Sequence, residues 1–326
     1  MNILVTGGAG YIGSICVEEL IRQNHEVVVI DNLQEGHRDA VMPEAVFYRG
    51  DIGDRDTLED IFKEHDISAV MHFAAVATIE LSMKDPSPCF QNNIVNGLTL
   101  LEVMRKHRCT KMIFSSSASV FGNPESLPID ESHPVRPINP YGESKAIFEK
   151  ILDWYADSYG FQIHSFRYFN AAGATEKLGE AHRHETHLIP LLIQAAQGKK
   201  ETFSIFGSDY GTKDGTCIRD YVHVHDIATA HIQALDQSGR RANEKYNLAN
   251  GSGFTNLEVL QTVEKVSGRK IPFQFADRRT GDPARLVESG HKAREKLGWN
   301  PKWVSLEDIV ASAWEWHLAF PDGYRE

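Results

Sequence analysis

No stretch of this sequence is apolar for long enough to cross a bilayer, and none repeats or falls to low complexity. Cysteine is scarce. Cys16, Cys89, Cys109 and Cys217 lie far apart, with no C-x-x-C pair. That excludes a disulfide scaffold and a thiolate zinc motif, and it suits a reducing compartment. Positive charge is also in deficit: 34 Lys and Arg against 45 Asp and Glu leave a formal net charge of -11. The overall field therefore favours neither nucleic acid nor an anionic membrane, and no such partner is expected. An anionic ligand would need a local group of arginines or helix N-termini. The first apolar run is short, has no basic leader and enters a glycine-rich loop, unlike a signal peptide. A soluble, cytoplasmic protein is expected, and 326 residues suffice for one large or two modest cores.

Residues 2–6 (Asn-Ile-Leu-Val-Thr) read as a short buried strand. Gly7, Gly10 and Gly13 follow in a G-x-x-G-x-x-G loop, and then an amphipathic helix to about residue 24. Glycine permits the tight turn and the close approach of backbone to a pyrophosphate, which the helix N-terminus attracts. A strand before and a helix after are the context in which this motif means dinucleotide binding. The next strand, residues 26–30, ends in Asp31, a carboxylate placed to accept hydrogen bonds from adenosine ribose hydroxyls. It would repel a 2′-phosphate, which favours NAD over NADP, with His37 and Arg38 nearby on the other side of the balance. Strand and helix signals then alternate. A strand at 46–49 runs into Gly50-Asp51-Ile52, and a helix at 54–65 is capped by Asp54. A strand at 69–73 runs into Ala74-Ala75, and one long helix continues to about residue 107. A strand at 111–114 ends in Ser115-Ser116-Ser117. This is the rhythm of an α/β, doubly wound parallel sheet of Rossmann type, whose ligands bind beyond the carboxyl ends of the strands.

Tyr141 and Lys145 come next, four residues apart on a helix opened by Pro140, so both side chains share one face. A nearby ammonium would lower the tyrosine pKa, and the pair could then take a proton from a substrate hydroxyl. A dinucleotide loop, serines at the end of a later strand, then Y-x-x-x-K is the order of an extended short-chain dehydrogenase/reductase. Further marks are Arg167-Tyr168-Phe169-Asn170, Arg219-Asp220-Tyr221-Val222-His223 and Arg278-Arg279-Thr280-Gly281-Asp282. With these the whole chain resembles the UDP-glucose 4-epimerases of that family.

The resemblance implies tight NAD and a reaction that inverts C4 of a UDP-hexose, interconverting UDP-glucose and UDP-galactose through a transient 4-keto sugar. Tyr141 would be the base, Ser117 would hold the 4-oxygen, and Lys145 would hold the nicotinamide ribose. It assigns cofactor contacts to Gly7, Gly10, Tyr11, Ile12, Gly13, Asp31, Asn32, Asp51, Ile52, Phe73, Ala74, Ala75, Asn92, Ser115 and Tyr168, beside Tyr141 and Lys145. To the substrate it assigns Asn170, His187, Leu188, Ser204, Phe206, Arg219, Tyr221, Arg279 and Asp282, beside Ser117 and Tyr141. Arg219 and Arg279 would clamp the diphosphate. It also implies a homodimer formed by the helix after Phe90 and the Tyr141 helix.

Residues 1–170 are expected to form the NAD-binding Rossmann domain. Residues 171–326 are expected to form a smaller α+β domain for the nucleotide sugar, with the chain crossing between the two more than once. The second half reads as a loop at 171–186, a helix at 187–197, a strand at 203–206, a loop at 210–216 and helices at 225–236 and 306–320. No metal is expected. His184-Glu185-Thr186-His187 is one residue short of H-E-x-x-H, although two ligands at i and i+3 in a loop stay open. Departures from the family pattern fall at Ile15, at Phe121 and at residues 76–81, the last bearing on sugar handling. Leu286 occupies a position whose size influences acceptance of N-acetylated sugars. The alternatives are a UDP-glucuronate or UDP-GlcNAc 4-epimerase and a non-enzymatic NAD-sensing protein. A 4,6-dehydratase fits less well, because Ala118-Ser119, and not an acidic pair, follow Ser117.

Overall fold

The computed structural model describes residues 1–237, 243–279, 283–289 and 291–325. Six strands lie in the first half: β1 (Asn2–Thr6), β2 (Glu26–Asp31), β3 (Val46–Arg49), β4 (Ile67–His72), β5 (Lys111–Ser115) and β6 (Gln162–Tyr168). Between them run helices α1 (Tyr11–Arg22), α2 (Arg55–Glu64), α3 (Ile79–Lys84), α4 (Ser87–Phe90), α5 (Gly97–Lys106) and α6 (Pro140–Tyr159). The second half adds β7 (Asn170–Ala172), α7 (Leu188–Ala196), β8 (Phe203–Phe206), β9 (Ile218–Arg219), β10 (Tyr221–His223) and α8 (Val224–Leu235). After these come β11 (Asn243–Leu248), β12 (Phe254–Thr255), α9 (Asn256–Ser267), β13 (Phe273–Ala276), β14 (Arg285–Leu286), α10 (Lys292–Leu297) and α11 (Leu306–Ala319).

Seven parallel strands form the central sheet in the order β11-β6-β5-β4-β1-β2-β3. Its side chains alternate between two apolar layers, as a sheet covered on both faces requires. Ile3, Val5, Val27, Val29, Ala69 and Met71 enter one layer together with α1 and α8 residues such as Leu20 and Ile227. Leu4, Val28, Ile30, Val70, Met112 and Phe114 enter the other, with Leu58, Leu101 and Phe148 from α2, α5 and α6. A third apolar cluster joins α7, α9 and α11 around Leu192, Leu260 and Ile309. The seventh sheet strand, β11, comes from the second half of the chain, so the polypeptide returns to the large sheet after residue 170.

The long helix expected before residue 107 is broken. Pro86 and Pro88 remove two backbone donors, so α3 stops at Lys84 and α4 is a short restart. A π-helical turn spans Gln91–Asn96 before α5 begins. Elsewhere the expected elements form with shifts of one or two residues. Asp54 caps α2 by accepting from the Asp56 and Thr57 amides, and Asn139 caps α6 by accepting from the Gly142 amide at 2.8 Å. Four cysteines are free and buried. Among the described residues, no helix is long and apolar enough to cross a membrane.

One buried polar network joins the tyrosine helix to the sheet. Glu149 on α6 accepts from Arg167 of β6 at 2.9 and 2.6 Å and from the Ser116 hydroxyl at 2.6 Å. Both charged side chains are 3% exposed. Phe121, where the family pattern has tyrosine, is fully buried beneath the Arg167 guanidinium. Removing one partner strands the other charge in an apolar layer, which costs about 3–5 kcal/mol. Glu149→Ala should therefore lower the unfolding free energy by about that amount in urea titrations, and a loss under about 1 kcal/mol would show that the pair is not a structural tie.

Candidate active site

The carboxyl ends of β1, β2, β4 and β5 gather the residues singled out in the sequence. Gly7 lies in the left-handed region (φ 71°), and a Cβ there would sit 2.5 Å from the Ala74 amide nitrogen. A Cβ on Gly13 would sit 2.2 Å from the Gly7 carbonyl. Both contacts forbid any larger residue, and they press the loop onto the end of β4 and α1 onto the loop. No side chain caps α1 and its first turn carries no acidic residue, which leaves its N-terminal amides for an anion. Asp31 closes β2 and holds the loop, its Oδ2 accepting from the Ala9 amide at 3.0 Å and its Oδ1 from the Leu33 amide at 2.8 Å. Burial raises its pKa, with those two amides pulling the other way. The nearby basic groups have partners of their own. His37 Nε2 lies 2.6 Å from the Ala181 carbonyl oxygen, and Arg38 sits over the Phe47 ring.

Asp51 forms a second hub. It accepts from Asn32 Nδ2, from the Gly53 amide and from Asn96 Nδ2, at 2.9, 2.8 and 2.9 Å. Asn96 was not anticipated. Neither was Asn93, which is buried on the π-turn. Its amide exchanges hydrogen bonds with the Val76 backbone and donates to Ser144 Oγ on α6 at 2.9 Å. The expected Asn92 only donates to Asn93 Oδ1. Local sequence offered no means of choosing among these asparagines, because the π-turn rotates their faces relative to an α-helix. Ile52 and Tyr168 are core residues beneath the site. Ile52 is 3% exposed, and the Tyr168 hydroxyl pairs with His231 Nε2 at 3.2 Å and with Ser115. Phe73 packs against the His231 ring, and Ala74 and Ala75 stay partly exposed beside the loop. Tyr11 donates to the Gly173 carbonyl at 2.6 Å, which fastens the first helical turn, with Ile12 next to it, to the second half of the chain.

Ser117 ends the serine run and caps the turn that follows, accepting from the Ser119 amide at 3.1 Å. Its side chain is also hydrogen-bonded to that of Tyr141. Tyr141 as a whole is half-buried, but its hydroxyl end is desolvated. Burial pushes its pKa up to about 12, with the Ser117 bond working the other way. Lys145 is 3% exposed and donates to the Ser115 carbonyl at 2.8 Å, its ammonium 5.8 Å from the Tyr141 ring centre. Burial lowers the Lys145 pKa to about 8. The expectation that Lys145 depresses the tyrosine pKa is thus not met by the polypeptide alone. Desolvation dominates both groups, and the ammonium is aimed at a carbonyl.

The residues expected on the substrate come from separate short elements. Asn170 of β7 donates to the Asp220 carbonyl at 2.8 Å. Asp220 is fully buried and accepts from the Asn250, Gly251 and Glu288 amides. Burial raises its pKa to about 6 against those bonds. This aspartate organises the β9–β10 turn that carries Arg219 and the buried Tyr221. Arg219 pairs in register with Leu286 of β14, and Leu286 packs against the cluster of Ala118, Val120, Phe121 and Ala146. Strand pairing therefore carries Arg219 to the turn that holds Ser117. Phe206 ends β8, its ring under the Arg279 guanidinium at 4.1 Å. Ser204 lies two residues earlier on that strand and accepts from Gln274 Nε2 at 3.4 Å. His187 is the residue before α7 and Leu188 its first. Asp282 lies outside the described residues. Glu80, on the short α3 where the sequence departs from its family, is held low by Lys84 first and also feels the charges of His184 and Arg279.

Comparison with known proteins agrees with this geometry. Residues 3–249 match the model of the NAD dependent epimerase/dehydratase family. The chain is 49% identical to a UDP-glucose 4-epimerase of Streptococcus mutans, over 100% of this chain and 99% of that protein. A crystal structure of a UDP-glucose 4-epimerase superposes with a TM-score of 0.97 at 47% identity, covering 100% of both chains. The Bifidobacterium longum UDP-glucose 4-epimerase, solved in complex with NAD+ and UDP, gives 0.95 at 36% identity, covering 99% of this chain and 100% of that one. The chain belongs to the NAD dependent epimerase/dehydratase family.

Proposed function

We propose that this protein is an isomerase that interconverts UDP-glucose and UDP-galactose with a retained NAD. The observation that carries the reading is the buried Tyr141 hydroxyl bonded to Ser117, with Lys145 one helical turn away, at the sheet edge that also bears the glycine loop. NAD fits that edge: Gly7 and Gly13 let the loop close tightly on β4 and α1, the uncapped N-terminus of α1 leaves amides for a pyrophosphate, and the Asp31 carboxylate stands where a ribose is expected. When bound, NAD supplies a hydride acceptor and returns the hydride, so the net reaction is not a redox one.

The chain's own residues do the rest. Ser117 holds the sugar 4-oxygen against Tyr141, and Tyr141 takes the hydroxyl proton and later gives it back. Bound NAD would supply a positive charge that offsets the desolvation holding the Tyr141 pKa near 12. Lys145 orients the cofactor ribose from the Ser115 carbonyl. Arg219 and Arg279 grip the diphosphate and Phe206 lies against the nucleoside, while few groups touch the hexose. The sugar is then free to turn and present its other face. Residues 1–170 accordingly serve the cofactor, and residues 171–326 serve the nucleotide sugar. Exposed Val95 on the π-turn before α5 and Trp154 on α6, 49% and 71% accessible, support a homodimer in which the helix after Phe90 and the Tyr141 helix pair with their copies.

The enzyme should convert UDP-galactose to UDP-glucose without added NAD. No turnover even with NAD supplied would overturn the assignment, and turnover of UDP-glucuronate instead would redirect it. Tyr141→Phe should lower kcat by about 10²–10⁴-fold while NAD stays bound, as read from coupled assays and cofactor content after denaturation. A Phe variant within threefold of wild type would remove Tyr141 from the chemistry.

A further inference from the structure

The segment between β7 and α7 holds a group of side chains that take no part in the proposed chemical steps, His187 alone being expected on the substrate by resemblance. Its sequence repeats Glu-x-His twice, at Glu180 to His182 and again at Glu185 to His187. The fold brings one donor atom from each of these four residues to within 4.8 Å of the others. His187 Nδ1 lies 2.8 Å from Glu180 Oε1 and 2.9 Å from Glu185 Oε1. His182 Nδ1 lies 3.2 Å from Glu180 Oε1 and 3.5 Å from Glu185 Oε2. A tetrahedral ion with bonds of about 2.0–2.1 Å spaces its donors about 3.3–3.4 Å apart. The observed separations bracket that spacing.

Two features go beyond an ordinary ion-pair network. Both imidazoles turn the same nitrogen, Nδ1, toward the carboxylates, and the enclosed His182 Nδ1 lies 3.2 and 3.5 Å from two carboxylate oxygens without the alignment of a hydrogen bond. The carboxylates are themselves sunk, with the Glu180 and Glu185 side chains 6% and 8% exposed. Two enclosed carboxylates call for a concentrated positive charge between them. We propose that Glu180, His182, Glu185 and His187 form a structural zinc site. Two carboxylates neutralise the dication, and two neutral imidazoles complete four-coordination, so binding releases whatever protons the histidines carry. Imidazole ligands point away from magnesium and calcium, and a closed set of four protein donors leaves no position for a reactive water. His184, which suggested metal in the sequence, is not one of the four.

The position of the site explains its use. The Tyr11 ring meets His182 edge-on at 6.2 Å. The Ala181 carbonyl oxygen lies against His37 Nε2, Gly179 packs on Trp316, and Leu188 opens α7 directly after His187. One ion would lock this segment between the first turn after the glycine loop and the start of α7.

Full-length protein without a histidine tag, desalted after expression with zinc, should carry about one zinc per chain by mass spectrometry. Glu180→Gln and His182→Ala should each reduce that to below about a tenth. Stripped wild type should gain at least about 2 °C in Tm on adding one equivalent of zinc, and cobalt(II) in its place should show the visible bands of a tetrahedral site. A wild type that holds under about a tenth of an equivalent and whose Tm ignores zinc would overturn the proposal. So would variants that keep the full metal content. If a variant fails to fold, the wild-type stoichiometry, Tm shift and cobalt spectrum decide the matter.

Discussion

A single carboxylate, that of Glu149, fixes the relation between the tyrosine helix and the sheet. It is buried between Arg167 and Ser116, so it binds α6 to β6 and to the serine run after β5 at once. An ion pair placed this deep gains its value from specificity of position, since any slip of the helix would leave a charge without its partner. Tyr141 lies two helical turns toward the N-terminus of α6 and Ser117 one residue beyond Ser116. The contact between tyrosine and serine thus inherits the rigidity of a charged clamp that touches neither reacting group. Phe121 beneath Arg167 makes the same point from the packing side, because the guanidinium rests on a fully buried ring.

The cofactor edge is built on the same logic with weaker elements. Asp31 and Asp51 each end a strand region and each accept from loop amides, so both loops are shaped from below. Asn93 and Asn96 extend this shell onto the π-turn, where the irregular helix brings two asparagine faces toward the site. The close contacts of Gly7 and Gly13 then hold the loop against β4 and the start of α1, where no side chain caps the helix. The result is a set of backbone donors held in place before any ligand arrives, which is how preorganisation lowers the cost of binding.

Electrostatics in the polypeptide alone run against the chemistry. Burial raises Tyr141 to about 12 and lowers Lys145 to about 8. Both groups are held nearer their neutral forms than in water, and a cationic cofactor is what completes the site. A retained cationic cofactor would supply the charge that shifts this balance.

The sequence by itself determined the first five strands of the large sheet, β1 to β5, the glycine loop, the carboxylate at Asp31 and the pairing of Tyr141 with Lys145. These are local: alternation of apolar residues, glycine spacing and a helical i to i+4 relation are all written within a few residues. Phe206, Arg219 and Arg279 were reachable only through resemblance. The tertiary structure decided the rest. The sequence could not show that Pro86 and Pro88 break a helix into pieces joined by a π-turn, or that Asn93 and Asn96 would tie that turn to α6 and to Asp51. Nor could it show that Glu149 reaches across to Arg167, or that β11 returns to the far edge of the sheet. It displayed Glu180, His182, Glu185 and His187 in one loop and gave no sign that they would converge. Such pairings join residues far apart in the chain or in an irregular loop, where no periodicity exists to be read and only packing settles which polar groups meet.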